Sequence, residues 1–541
     1  MKKVVAFSTL AVLTGLTLAG CGSGKAADQD KPLNVTMPAE LQVADPNKAT
    51  DAYSFYMMRQ TTEGLYRLNK NGKVVAGMAT KLVKPTADGT KYVFNLRKDA
   101  HWSNGDKVTA QDFVTSFRRQ VDPKTKAQYA NRLAMFKNYD AVQKGTKAPS
   151  ALGVKADGKY KLEFELSKSD PTFNFELATQ LLPVNTKLVA KYGDKYGTNS
   201  SRVAANGPYV LKNWNGTKDT WTYAKNNKYY DKQSVRIKKV NVQVVKTPST
   251  ALNLFSSGKL QETTASVTGT TVKQVENTPK LKKQMVKTLT SAISLQQFNK
   301  DGKVSGNANF RKAAAAALNV KQMTDKVTQD GSQPLKGMVA TGNSTDPNTG
   351  KDFATAVGNL NQHSDAKAKA YWQKAKKELG GGSQTVNLLI SNTDNNKNVA
   401  EYVQSQWEKD MPGLKVTITS VPLQQEINKM FKKDFDVAQF GWTGDEPDPT
   451  TDLALFQKGN SINFTGWNDK QFNKLMDQAN QTTDTKARFK LLKQATKRAA
   501  EVRAFNPLYQ QAQVSLVSSK VGGLKYSEFS TAAQYRYAYW K

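Results

Sequence analysis

Apolar residues recur with a period of two along several short stretches of this chain. Tyr92, Phe94 and Leu96 are interleaved with Lys91, Val93, Asn95 and Arg97, and the same pattern links Tyr160, Leu162, Phe164 and Leu166. Val240, Val242 and Val244 repeat it. This period predicts half-buried strands. Further strands are expected at 33–36, from Tyr209 to near Trp214, at 291–298, 385–390 and 414–421, with more after Pro507. Helical spacing appears over 55–68, 250–258, 309–318, 366–379, 399–409, 469–480 and 485–502. Thr109-Ala110-Gln111-Asp112 reads as a capping box that starts another helix and turns Phe113, Val114 and Phe117 inward. Gly380-Gly381-Gly382 stops the 366–379 helix. Strands and helices alternate through two large blocks, which predicts an α/β protein with two lobes. Pockets favour such junctions.

One stretch, 434–452, combines several of these signals. It is expected to begin as a strand, with Phe435, Val437 and Gln439 on one face and Asp436, Ala438 and Phe440 on the other. Gly441-Trp442 then places bare backbone beside a large aromatic, and Thr443-Gly444 reads as a turn. Asp445, Glu446, Asp448 and Asp452 follow, with Pro447 and Pro449 forbidding a helix before Thr450. A strand edge, an aromatic and a carboxylate at a turn suit capture of something extended with a cationic end. Any solvated turn after a strand has a similar composition.

The N-terminus changes the picture. Met1-Lys2-Lys3 is a basic start, and residues 4–18 form an apolar run of signal-peptide length. Leu18-Ala19-Gly20-Cys21 resembles the bacterial lipobox. That resemblance implies cleavage before Cys21 and a diacylglyceryl thioether on it, with two acyl chains sufficient for stable anchoring in a lipid bilayer. Cys21 is the only Cys among 541 residues, so no internal disulfide is available. Residues 22–31 are small and polar and read as a tether.

Lys plus Arg number 79 against 45 Asp plus Glu, a net charge of +34. The lysines are spread along the chain without a dense basic block, and the export signal leads away from nucleic acid, so no nucleic-acid partner is expected. A solvated surface beside anionic lipid and wall polymer accounts for the charge. His101 and His363 lie far apart and no second His or Cys stands near either, so neither a zinc site nor His-based catalysis is expected, and no cofactor. Asp445, Glu446 and Asp448 could be read as a glycosidase carboxylate pair. Such a pair needs side chains about 5–9.5 Å apart across a sugar, which neighbours in a Pro-broken loop serve poorly. There is no G-x-S-x-G elbow and no G-x-x-x-x-G-K-[ST] phosphate loop.

Several motifs occur in a specific order. They are the Cys21 lipobox, Glu63-Gly64-Leu65, Asp88-Gly89-Thr90-Lys91-Tyr92, Trp102-Ser103-Asn104-Gly105 and Asn206-Gly207-Pro208-Tyr209. Asn309-Phe310-Arg311-Lys312-Ala313 and Gly441-Trp442-Thr443-Gly444-Asp445 with Pro447-Asp448-Pro449 complete the set. This series resembles the oligopeptide-binding lipoproteins of ABC importers, in the peptide/nickel family of extracellular solute-binding proteins. The resemblance spans nearly the whole mature chain.

It implies a two-lobed clamp of three domains. After a signal peptide (1–20) and tether (21–32), domain I would comprise 33–66, 193–292 and 512–541, domain II 67–192 and domain III 293–511. The chain would cross between lobes near Ala292 and Gln511. A peptide would lie extended between the lobes as an added strand. Gly441, Trp442 and Thr443 would lend backbone, and Asp445 would meet the peptide's α-amino group, which with a pKa of about 7.7–8.0 is largely protonated at neutral pH. The facing strand is expected around Tyr53, Ser54 and Phe55, and Tyr129 would reach the cleft. Some members carry a basic residue two before the Gly-Trp pair, for the carboxylate of short peptides. Gln439 stands there, so a fixed ligand length is not expected. The implied partners are oligopeptides and an ABC permease, with the receptor acting as a monomer. Within the same fold, a peptide pheromone, cell-wall peptide, metal chelate or haem is the alternative ligand, and a basic surface adhesin the alternative role.

Overall fold

The computed structural model describes residues 29–541 except 71, 87, 171, 265, 445, 483, 504, 528 and 529. Asp445, Cys21 and the 1–20 segment therefore lie outside the described residues. Three main sheets organise the rest. The first has the order Glu262–Thr263, Leu33–Met37, Lys239–Val244, Thr220–Lys225, Tyr209–Lys212. The second is antiparallel, with Lys161–Glu165 between Lys91–Asn95 and Val154–Ala156. The third is mixed and six-stranded: Gln333–Pro334, Phe505–Leu516, Met285–Phe298, Val437–Thr443, Gln384–Ser391, Leu414–Val421.

The local signals act as their chemistry requires. Thr109 caps the helix Ala110–Val121, and the Asp112 carboxylate accepts from the Thr109 backbone at 2.9 Å. The same carboxylate also accepts from Trp102 Nε1 at 3.1 Å, so Trp102 packs in the core. Behind the second sheet, Phe94, Phe117, Phe136, Phe164 and Phe173 form one aromatic cluster. Behind the third, Phe298, Phe310, Trp372 and Trp407 do the same.

Two expectations need correction. The helix expected over 55–68 is Ala52–Thr61, followed by a short strand Tyr66–Leu68 that pairs with Val74–Ala76. The helix ends where Thr62 turns extended, and two residues on Gly64 sits where a Cβ would come within 2.4 Å of the Leu177 carbonyl. Tyr53, Ser54 and Phe55 accordingly occupy the first turns of a helix and not a strand. Asp51 caps that helix, accepting from Ser54 N at 2.8 Å, and the Ser54 hydroxyl accepts from Val43 N. The strand expected in the 434–452 stretch is present as Val437–Thr443, and Val437, Ala438 and Gln439 are all buried because it is an interior strand of its sheet.

The strand expected at 291–298 is longer, Met285–Phe298, and runs antiparallel to Phe505–Leu516. Pairing is interrupted between Leu289/Ala512 and Ile293/Gln510. Side chains replace the missing ladder there. Thr290 Oγ1 donates to the Gln511 carbonyl at 2.9 Å, and Gln510 Nε2 donates to the Thr290 and Thr341 carbonyls at 2.7 and 2.8 Å.

The first two sheets are tied together by buried polar groups. Arg119 forks onto Asp45 at 2.7 and 2.9 Å. Glu63 accepts from Tyr229 and Tyr230 at 2.5 Å each and lies 3.4 Å from Arg536. Three separate stretches of sequence therefore meet on one buried carboxylate.

Candidate functional site

The strand Val437–Thr443 carries the site. One edge pairs antiparallel with Met285–Phe298 along its full length, from Phe298 opposite Val437 to Ala292 opposite Thr443. The other edge pairs parallel with Gln384–Ser391 only at Val437, Ala438 and Gln439. The neighbour stops because the chain turns at Asn392 into the helix Asp394–Asp410, capped by Thr393. Among the described residues, Phe440, Gly441, Trp442 and Thr443 have no ladder partner on that edge. An interior strand thus becomes an edge strand at the Gly-Trp pair, an open template for another backbone.

Gly441 is exposed, and a Cβ built on it would meet nothing nearer than Gln511 Nε2 at 3.4 Å. The fold does not itself require glycine there. Trp442 is held from behind by its Nε1, which donates to the Thr451 carbonyl at 3.0 Å. Its ring is half-buried and forms part of a cavity wall.

The following loop is fixed at several points around Asp445. The Ser291 hydroxyl donates to the Gly444 carbonyl. Gly444 is packed tightly, since a Cβ would come within 2.9 Å of Thr451 Cγ2. Asp448 receives both Arg488 amino groups, at 2.6 and 2.9 Å, and also caps Thr450 N at 3.0 Å. Asp448 and Arg488 are both buried. The Asp452 carboxylate accepts from Ala340 N at 3.2 Å. Asp448 is thereby committed to Arg488 and to its own turn.

The loop borders a cavity of about 780 Å³ between the second and third sheets' domains. Tyr129, Arg132 and Thr172 line one side, and Trp442, Glu446 and Thr450 the other. Its size falls in the range of ligand pockets, roughly 300–1,000 Å³. Arg132 is steadied by Gln180 and by the rings of Phe55 and Tyr129, 4.8 and 4.6 Å from its guanidinium carbon. Tyr129 OH donates to the Thr50 carbonyl at 3.3 Å.

Trp442 and Tyr129 are thus brought to one cavity from opposite sides. Gln439 is not: it is buried inside the sheet layer, with Nε2 donating to the Asn396 carbonyl at 3.5 Å. Tyr53, Ser54 and Phe55 do not line the cavity either; Phe55 reaches it only through Arg132. Sequence reasoning missed Arg132 and Arg488. Asp448-Pro449-Thr450 carries a visible capping signal, but nothing local marks Arg488, forty residues on, as its partner.

The profile of bacterial extracellular solute-binding proteins, family 5 (middle part), matches residues 73–464, more than half of the chain. A dipeptide-binding protein of Lactococcus lactis subsp. cremoris is 30% identical over 555 residues, covering 100% of this chain and 99% of the relative. The structure of Listeria monocytogenes OppA bound to peptide superposes with a TM-score of 0.87 at 34% identity, over 94% of this chain and 99% of that one. The pheromone receptor PrgZ, solved with its mode of peptide binding, gives 0.87 at 30% identity over 95% and 100%. With a two-lobed fold shared end to end and an open strand edge on the inter-lobe cavity, this chain belongs to family 5 of the bacterial extracellular solute-binding proteins.

Proposed function

We propose that this protein captures oligopeptides between its lobes and delivers them to an ABC permease. The observation that carries the reading is the strand Val437–Thr443, which loses its second neighbour at Phe440 beside the inter-lobe cavity. A peptide laid there would complete the ladder through main-chain bonds, without reading side chains. Gly441 supports this, because its missing Cβ serves no packing need of the protein's own and leaves room for a ligand backbone. Asp445, next to the pinned Gly444, is assigned to the peptide's α-ammonium group. Tyr129 and Arg132 face the peptide from the other lobe.

The lobes correspond to domains I and II on one side and domain III on the other, with the crossing at Ala292 and Gln511 as hinge. Capture bridges both lobes and favours the closed state, which docks on the permease. The protein acts as a monomeric receptor and not an enzyme, held at the extracellular face by an acylated Cys21. Gln439 is neutral and buried in the sheet, so that position supplies no fixed cation for a C-terminal carboxylate and peptides of several lengths are accepted; exclusive binding of tripeptides would refute this. Likeness to PrgZ gives a second reading, a peptide pheromone as the physiological ligand.

Calorimetric titration with a mixed-sequence pentapeptide, its N-acetylated twin and the Asp445→Ala variant tests the reading. Binding of the free peptide, with loss on either change, is expected. Equal binding of the acetylated twin would remove Asp445 from its role. Absence of any peptide binding would overturn the proposal.

A further inference from the structure

Away from the cleft, the fold gathers three ligand-type side chains. His363 precedes the helix Asp365–Glu378, Asp365 is its first residue, and Asp410 is the last residue of Asp394–Asp410. Their donor atoms all lie within 4.8 Å of one another. His363 Nε2 is 2.6 Å from an Asp365 oxygen, and Lys409 Nζ is 3.2 Å from the other.

Asp410 is the unusual member. It is 0% exposed, and neither carboxylate oxygen has a hydrogen-bond partner. It terminates a helix, where the backbone dipole presents negative charge and disfavours an anion. It faces a second carboxylate, Asp365. A buried anion without donors costs several kcal/mol unless a cation meets it. Lys409 is engaged with Asp365, and among the described residues no cation is paired with Asp410.

We propose that His363, Asp365 and Asp410 bind a first-row divalent cation of the zinc type. One imidazole nitrogen and two carboxylates form a ligand set that zinc accepts, with water in the remaining position. Tetrahedral zinc places its donors about 3.3 Å apart. The three donors, now within 4.8 Å of one another, would have to adjust to that spacing. The ion would displace the direct His363–Asp365 contact and leave Lys409 on the outer Asp365 oxygen. It would pin the entry of one helix to the end of another on the outer side of the third sheet. Counting histidines alone hid this site, since Asp365 stands two residues from His363 and only the fold adds Asp410.

The test is calorimetric titration of the metal-stripped full chain with Zn²⁺, with Co²⁺ absorbance as a second readout. His363→Gln and Asp410→Asn are the variants, each checked by thermal melt. One equivalent of Zn²⁺ is expected, weakened at least tenfold by either variant, with visible Co²⁺ bands of low-symmetry coordination lost in parallel. Peptide binding should be unchanged in His363→Gln, which separates this site from the cleft. Absence of stoichiometric binding would overturn the proposal. So would equal binding by both variants, leaving only adventitious surface sites. A folded Asp410→Asn protein that gains stability while the wild type binds no ion would make a proton the missing cation and would also overturn it.

Discussion

At Gly441 the needs of folding can be separated from those of the proposed binding. Its α-carbon is exposed on the open edge, and the nearest obstacle to a Cβ is a flexible Gln511 amide at 3.4 Å. Gly441→Ala should therefore melt within about 0.5 kcal/mol of the parent, or slightly higher, because the unfolded chain loses freedom. A peptide backbone approaching that edge would meet the new methyl, so affinity should fall at least tenfold. Melting and calorimetry on the same sample check both halves, and unchanged affinity would place the peptide elsewhere. Glu426 makes the complementary point for charge. Burial pushes its carboxyl up to about 8, against a weaker opposing hydrogen bond from Ser391. From about pH 4.5 to 8 the folded chain thus retains a proton that the unfolded chain has released. Stability declines across that window as pH rises, by at most about 1.4 kcal/mol per unit from this group, then levels off. Glu426→Gln should remove the slope, and its melting advantage over the parent should grow between pH 5 and 8. Parallel pH profiles for the two would show that Glu426 is ionised throughout.

Among the elements, the 444–452 loop depends most on distant sequence. Its turn residues and its helix start at Thr450 are readable locally, and the helix does begin there. What makes the loop a fixed platform is Arg488, from the helix Thr485–Val502, forked onto Asp448 in the interior. Asp448→Ala strands that guanidinium, at a cost of about 3–5 kcal/mol. Peptide affinity should fall with it, because the Trp442 indole is held through Thr451 in the same loop. An apolar pair, Asp448→Leu with Arg488→Met, should recover much of the stability measured by denaturant melts, but not the binding. The same contrast explains what was legible. Period-two and capping signals are local, so the Lys91–Asn95 and Lys161–Glu165 strands and the Ala110–Val121 helix emerge from sequence directly. Tyr53–Phe55 is helical where a strand is expected, because Asp51 is an isolated cap without a partner signal, and the need for glycine at position 64 comes from Leu177, over a hundred residues away. Its position near the Gly-Trp pair points Gln439 to the cleft, yet the third sheet buries it, since strand pairing continues through that residue.

For the whole molecule, the question is what lets the lobes move without unfolding either. Two long strands, Met285–Phe298 and Phe505–Leu516, run through the junction, and a continuous ladder would be stiff. The ladder is instead broken at Thr290–Ala292, where Thr290 and Gln510 side chains supply the bonds. Side-chain bonds can rotate and re-form, whereas a ladder has one register. Ser291, within the break, also bonds the Gly444 carbonyl, so a rotation at the break would be passed to the loop that carries Asp445. If this is the hinge, Thr290→Val with Gln510→Met should lower the cost of opening while leaving both lobes packed. Small-angle scattering of the ligand-free protein should then report a larger radius of gyration than the parent, and saturating peptide should bring the two together. Peptide affinity should drop in proportion to the closed fraction lost, because binding must now restore that population. A ligand-free radius equal to the parent's, with affinity unchanged, would mean that the closed form is held by contacts across the cleft and that the break in the ladder is only a local irregularity.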